Sequence, residues 1–211
     1  MALVGGLHMR PVVIGYGDVM SGIQLDLTPQ AARRLLGFPA SQLANSVVDM
    51  HDVLGRAAEE LVDRLHRVDS SGARRDAVFD VLSRPGVAIK TACAHVDRAW
   101  EMIIASNGAL SLNGVAGAVG WSRRHLDREF VSEFRLTPKD VARVARFTHS
   151  REMLQQYPRL SMAALGSACG YFDQAHMARE WNRLAGETAS SWWTDEGVRV
   201  FQAPSLEASA S

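Results

Sequence analysis

Ten side chains in the second half of the chain are candidates for binding nucleic acid, and they fall into two groups of five in which four positions are equivalent. The first group is Ser122, Arg123, Arg124, Asp127 and Arg128, and the second is Asp173, Gln174, Ala175, His176 and Arg179. Arg donates two hydrogen bonds to guanine, Gln pairs with adenine, and an apolar side chain such as Ala contacts the methyl group of thymine. The two groups therefore predict two surfaces that recognise duplex DNA.

A charged helix face is more often only a solvated surface, so this hypothesis needs independent support. The support is a pattern that occurs twice, over residues 115–130 and again over residues 165–181. The copies are offset by 50 residues as far as Gly120 and Gly170, and by 51 residues afterwards, because one residue is inserted in the second turn. Such a repeat indicates that the two groups occupy equivalent positions of one structural unit.

Each copy predicts two helices joined by a tight turn. Gly120 and Gly170 fall where the first helix ends, and glycine adopts the left-handed conformation of such an end without a steric penalty. Ser122 and Asp173 then open the second helix, since their side chains accept hydrogen bonds from free N–H groups of its first turn. This arrangement is typical of a helix-turn-helix, whose second helix enters the major groove of DNA.

Apolar residues four positions apart predict which face of each second helix is buried. Leu126 and Phe130 share one face in the first copy, as Met177 and Trp181 do in the second. We expect these pairs to pack on small residues of the preceding helix and to belong to the core. The candidate DNA-binding residues would then lie on the opposite, exposed face.

Two motifs at this spacing carry a resemblance to a known family. They are Gly-Trp-Ser followed by Leu-x-Arg-x-Phe within residues 120–130, and Gly-Tyr-x-Asp-Gln-x-His-Met-x-x-x-Trp within residues 170–181. In these motifs, residues 108–193 are similar to the double helix-turn-helix domain of AraC/XylS-type transcription regulators. The resemblance implies a seven-helix domain whose recognition helices, at about 123–134 and 174–184, enter successive major grooves. It also implies a rigid helix joining the two units.

Thr137 and Pro138 predict where that joining helix starts, because Thr is a good cap and Pro is favoured at the first helical position. The helix would end near residue 155, and roughly seventeen residues at 1.5 Å each give about 25 Å, a spacing on the scale of one turn of DNA. Two residues depart from the family pattern. Arg135 follows the first recognition helix where Gly is common, and Ala189 stands where Pro is common.

Residues 1–107 predict a smaller region with two strands and several helices. Alternation of apolar and polar residues predicts strands at 10–16 and 22–27. Thr28 and Pro29 predict the start of a helix that reaches residue 36. The remaining predicted helices are a single turn at 39–43 and longer segments at 52–67, 76–83 and 88–106, with a polar break at 69–75.

Residues 22–39 are similar to the end of the sensor domain in one branch of AraC-type regulators, where a β-barrel precedes a helical segment. This resemblance implies a shortened sensor or dimerisation region at 1–107, a DNA-binding domain at 108–194 and a flexible tail at 195–211. The apolar stripe of the helix at 52–67 fits either a dimerisation face or core packing. We therefore expect a mainly α fold, in which a small α+β remnant precedes a C-terminal double helix-turn-helix.

Composition limits the classes of function. The 211 residues carry 23 basic and 23 acidic side chains, but residues 108–194 contain eleven basic against eight acidic, a balance that permits DNA binding. The chain has two cysteines far apart, no apolar run long enough to span a membrane, and no signal peptide pattern at its start. These features predict a cytoplasmic protein without a disulfide framework.

No motif in the sequence predicts an enzyme. The seven histidines are scattered, no CxxC or HExxH spacing occurs, and glycine-rich phosphate-binding motifs are absent, so we expect no metal and no cofactor. Cys93 and Cys169 lack a sequence context that would activate a thiol.

The sequence analysis favours a sequence-specific regulator whose partner is double-stranded promoter or operator DNA. RNA polymerase, a second copy of the chain and a small-molecule effector are further partners that the resemblance implies. The alternative is a helical module that uses a helix-turn-helix scaffold to bind protein without DNA, and a third possibility is a ligand-sensing protein with a regulatory output.

Overall fold

The computed structural model describes residues 2–12, 23–84 and 93–196. The described residues are mainly helical with a single two-stranded sheet, which confirms the predicted fold class. In chain order the elements are β1 (Leu3–Gly5), α1 (Pro29–Leu36), a 3-10 turn (Ala40–Gln42), β2 (Val47–Asp49), α2 (Met50–Leu54), α3 (Arg56–His66), α4 (Ser71–Leu82), α5 (Ala94–Ala105), α6 (Leu112–Ala118), α7 (Arg123–Phe134), α8 (Pro138–Gln156), α9 (Met162–Ala168), α10 (Gln174–Ala185) and α11 (Ala189–Glu196).

The chain divides into two compact units. The first unit contains the sheet, α1 to α4, most of α5, and the helix pair α6 and α7. The second contains the end of α5, nearly all of α8, and α9 to α11. Each copy of the sequence repeat therefore lies in its own unit.

The positions of the two strands differ from the prediction. Residues 10–12 and 23–27 are not strands, and residues 13–22 of the predicted hairpin lie outside the described residues. Instead β1 pairs with β2 in an antiparallel register that places Leu3 opposite Asp49 and Val4 opposite Val48. Neither β1 nor β2 overlaps a predicted strand, and β1 finds its partner in the distant stretch before α2, a pairing that alternation along the chain does not specify.

The helices of the N-terminal region follow their local signals, with two corrections. The Thr28 hydroxyl accepts a hydrogen bond from the Ala31 N–H at 3.2 Å, and α1 starts at the predicted residue. The helix predicted at 52–67 is interrupted at Gly55, whose φ of 54° separates α2 from α3. The predicted polar break is shorter than expected, because Ser70 caps α4 and the helix begins at Ser71. Residues 88–92 of the helix predicted at 88–106 lie outside the described residues.

The apolar stripe of α3 packs inside the first unit. Leu61 is buried against Val78 and Val81 of α4, and Ala57 and Leu65 lie beside them. This contact accounts for the stripe by core packing, one of the two alternatives that its sequence pattern left open.

A largely buried ion pair joins α1 to α7 within the first unit. Arg33 of α1 pairs with Glu133 of α7, and both side chains are mostly shielded from water. Burial lowers the pKa of Arg33 and raises the pKa of Asp97 on α5, in each case against the attraction of the other charge. The N-terminal helix is thus linked to the C-terminal end of the first predicted recognition helix.

Aromatic side chains form the centre of the first helix-turn-helix. Phe130 and Phe134 of α7 are fully buried, with ring centroids 5.2 Å apart. Trp100 of α5 lies 4.5 Å from the ring of Phe134. These contacts confirm that the apolar face of α7 belongs to the core.

The second unit is built around Trp181 of α10. Its ring is fully buried, lies 4.7 Å from Phe147 and 5.5 Å from Trp192, and its indole N–H donates to the Ser150 hydroxyl at 3.0 Å. Met177 is buried one turn earlier, and a Cβ added to Gly166 of α9 would lie 3.8 Å from its sulfur. The helices α9 and α10 therefore approach closely here, and the space at Gly166 would accept a Cβ in ordinary van der Waals contact, so the packing does not depend on glycine.

We predict that Trp181→Ala lowers the free energy of unfolding by about 3–5 kcal/mol, because the substitution empties the centre of the second unit and leaves Ser150 without its donor. Urea denaturation followed by circular dichroism measures this loss. The control is Phe79→Ala on α4, where 58% of the residue is exposed and the change should stay within about 0.5 kcal/mol. Equal losses for the two variants would contradict the proposed centre of the core.

Candidate nucleic-acid interface

The two turns have the same backbone geometry. Gly120 and Gly170 both adopt a φ of 71°, which is the left-handed conformation predicted for them. The next residue donates its N–H back into the preceding helix in both copies, from Trp121 to the Ala116 carbonyl at 2.8 Å and from Tyr171 to the Gly166 carbonyl at 2.9 Å. The sequence repeat is therefore a repeat of hydrogen bonds as well as of residue types.

The predicted caps open the two candidate recognition helices. The Ser122 hydroxyl accepts a hydrogen bond from the His125 N–H at 3.2 Å, and the Asp173 carboxylate accepts one from the His176 N–H. The structure gives α7 and α10 the boundaries Arg123–Phe134 and Gln174–Ala185, within one residue of the prediction. The start of such a helix carries free N–H groups and a partial positive charge, which suit contact with a phosphate.

On α7, most of the predicted DNA-binding side chains pair with each other or with neighbours. Arg123 donates to the Asp127 carboxylate at 2.9 Å, one turn away. Arg128 donates to Glu129 at 3.0 Å and to Nδ1 of His125 at 2.8 Å. Arg124 is exposed and has no ion-pair partner among the residues described. The exposed face of α7 therefore carries two surface ion pairs, at Arg123 and Arg128, and Arg124, which has no such pair among the residues described.

On α10, the predicted residues divide into exposed and anchored ones. Gln174, Ala175 and Arg179 are exposed, and Arg179 has no ion-pair partner in the described part of the chain. His176 is half-buried, and both its ring nitrogens are engaged. Its Nδ1 accepts the backbone N–H of Phe172 at 3.4 Å, and its Nε2 lies 3.3 Å from the carboxylate of Glu180.

Glu180 is the centre of a buried ion network that the sequence analysis missed. Its carboxylate accepts hydrogen bonds from Arg143 at 3.1 Å and from Arg146 at 3.4 Å, both on α8. Arg146 also donates to the carbonyl of Gly108 at 3.2 Å and lies over the ring of Tyr171. The network connects the candidate recognition helix α10 to α8, and only the spacing of His176 and Glu180 along α10 could have indicated part of it.

Burial also shifts two weakly acidic groups of the second unit. The pKa of Tyr171 is raised to about 12 and that of Cys169 to about 11, in both cases chiefly because burial disfavours the charged form. Both groups are therefore neutral near pH 7 and serve as core residues.

Cys93 has a histidine neighbour that the sequence analysis did not identify. The Sγ atom lies 3.4 Å from Nδ1 of His95, whose ring lies 5.5 Å from that of Trp121. Cys93 and His95 are two positions apart at an exposed helix start, a spacing that matches no recognised motif for an activated thiol.

Within the described residues, no cluster of three or more His, Cys, Asp or Glu side chains is arranged to hold a metal ion. No described helix combines the length and apolar character needed to cross a membrane.

Comparison with known proteins gives matches to the part of the chain that contains both turns. Residues 115–194 match a family model described as a helix-turn-helix domain. The chain is similar to the HTH-type transcriptional regulator GlxA of Rhizobium meliloti (strain 1021), with 34% identity over 91 residues. That alignment covers 43% of this chain and 28% of the relative, so the chain spans little more than a quarter of the relative's length. No solved structure matches the chain significantly.

We predict that Glu180→Gln destabilises the second unit by about 3 kcal/mol, because Arg143 and Arg146 would lose the charge that compensates their partial burial. Thermal and urea unfolding measure this effect. The matched control is Glu129→Gln, at the equivalent position of α7. The Glu129 side chain is 30% exposed against 7% for Glu180, and its surface pairs contribute about 0–1 kcal/mol. A loss as small as the control's would show that the network adds no stability.

We also predict that iodoacetamide at pH 8 modifies Cys93 in the native protein and leaves Cys169 unmodified. Cys93 is exposed, whereas Cys169 is buried and its pKa of about 11 keeps the thiol protonated. Mass spectrometry of peptides, with and without urea, measures the labelling. Equal labelling rates in the native protein would contradict the burial of Cys169.

Proposed function

Residues 115–194 belong to the AraC-type helix-turn-helix family, and from this premise we propose that the chain is a transcription regulator that binds specific sequences of double-stranded DNA. The relative that it matches is named a transcriptional regulator. One observation carries the proposal. In both copies of the repeat, a capped helix of twelve residues follows a glycine turn, with fully buried residues on one side and exposed polar residues on the other.

Base recognition is assigned to the exposed residues of these faces. Arg124 and Arg128 on α7 and Arg179 on α10 would donate to guanine, Gln174 would pair with adenine, and Ala175 would contact a thymine methyl. The support is that all five are exposed at or beyond the first turn of a capped helix.

The other predicted residues have supporting roles in this proposal. Ser122 and Asp173 shape the helix starts, whose free N–H groups would bind phosphate. Arg123 is held by Asp127 and could exchange that partner for a phosphate, since a surface pair is worth little. His176 lies in the first turn of α10 and accepts the backbone N–H of Phe172. We propose that it thereby helps to orient the residues of this turn that contact DNA.

We propose that α7 and α10 occupy successive major grooves. Support comes from the offset of 51 residues that relates the two faces and from the family resemblance. Assembly as a homodimer, contact with RNA polymerase and control by an effector are part of the same proposal, and they rest on the resemblance alone.

Selection from a random duplex pool, followed by fluorescence anisotropy at several salt concentrations, tests the function. We expect an enriched motif with two elements about one helical turn apart, and affinity that falls steeply with added salt because phosphate contacts release counterions. Absence of binding at every salt concentration would overturn DNA binding and would favour the protein-interaction alternative.

We predict that Arg179→Ala weakens binding to the enriched duplex by about 1–3 kcal/mol, and weakens binding to random duplex much less, as expected for an Arg that contacts a base. The control is Arg75→Ala, which removes the same charge from an exposed position on α4. Equal losses on enriched and random duplex would show that Arg179 contacts only phosphate.

A further inference from the structure

One large apolar side chain lies unburied at the start of the second recognition helix. Phe172 is 92% exposed, far more than Phe79, the next most exposed large apolar residue described, at 58%. An exposed phenyl ring forgoes the stabilisation that burial would provide, and it leaves an apolar surface available for contact with a partner.

The backbone around Phe172 is held on both sides. Tyr171 before it is buried and donates its N–H to Gly166, and Asp173 after it caps α10. The N–H of Phe172 itself donates to Nδ1 of His176, whose other ring nitrogen faces Glu180. The ring is therefore presented from a fixed backbone.

Phe172 is also the inserted residue of the second copy. Trp121 and Ser122 are adjacent in the first turn, whereas their equivalents Tyr171 and Asp173 are separated by Phe172. The second turn thus carries an exposed apolar side chain at a position that has no equivalent in the first turn.

The neighbours of Phe172 define the chemistry of its partner. Phe172 is two residues before Gln174 and three before Ala175 along the chain, and all three are exposed; Gln suits adenine and Ala a thymine methyl. The phenyl ring itself offers no hydrogen-bond donor to a phosphate. The apolar group that the major groove of DNA offers is the C5-methyl of thymine, which Phe contacts well.

We propose that Phe172 is a specificity-determining residue that contacts the C5-methyl of a thymine at the edge of the element bound by α10. This inference rests on the proposed DNA-binding function and deepens it.

The first experiment compares selections from the same random duplex pool by the unmodified chain, Phe172→Ala and Phe79→Ala. We expect the unmodified chain and Phe79→Ala to enrich the same motif, and Phe172→Ala to lose the preference for one thymine while keeping the other positions. Circular dichroism and thermal unfolding of Phe172→Ala should match the unmodified chain, because the ring makes no core contact.

The second experiment replaces that thymine by deoxyuridine in the enriched duplex, which removes only the methyl group. For the unmodified chain we expect about a fourfold loss of affinity, the contribution of one buried methyl group. For Phe172→Ala we expect an affinity about tenfold below that of the unmodified chain on the thymine duplex, and little further change on the deoxyuridine duplex.

The outcomes separate the inference from the function on which it rests. The thymine contact is overturned, while DNA binding stands, if Phe172→Ala enriches an unchanged motif. It is also overturned if deoxyuridine substitution lowers the affinity of Phe172→Ala for the duplex as much as it lowers that of the unmodified chain. If the unmodified chain enriches no motif, the proposed function and this inference both fail. If Phe172→Ala binds the enriched thymine duplex with the affinity of the unmodified chain, the inference is also overturned, and Phe172 would instead suit contact with a protein.

Discussion

Burial of an apolar pair on the inner side of each recognition helix is the constraint on which the two candidate surfaces depend. Met177 and Trp181 are four residues apart, so in a helix with 3.6 residues per turn their side chains share one face, and both are buried in the core. The residues on the opposite edge, Gln174, Ala175 and Arg179, are then exposed. The same rule orients α7 through Leu126 and Phe130. The surfaces that would meet DNA are therefore a consequence of packing on the other side.

The two copies secure their recognition helices by different means. In the second unit, Glu180 accepts from two arginines of α8 and faces His176, and this set of partners offsets the cost of burying a carboxylate. The equivalent Glu129 of α7 lies at the surface and pairs with Arg128. In the first unit, the buried contacts are aromatic, with the Arg33–Glu133 pair at the end of the helix. Equivalent sequence positions have thus acquired structural roles in one copy and surface roles in the other.

The ion pairs of α7 bear on how its face would act. Arg123 and Arg128 each have a carboxylate partner near the surface, and such pairs contribute little to stability. A base or a phosphate can therefore replace the carboxylate without a large free-energy loss. The α10 face would use more apolar groups, together with Arg179, which has no ion-pair partner within the described part of the chain.

Local signals in the sequence determined most of the helices and both turns. The caps at Thr28, Ser122 and Asp173 act within three residues, and the glycine turns act within a few more, so short stretches contain the information. Strand pairing and the Glu180 network were decided by tertiary structure. β1 pairs with residues more than forty positions later, and Arg143 meets Glu180 across 37 positions. No local pattern specifies such partners, because they depend on how packed helices bring distant side chains together.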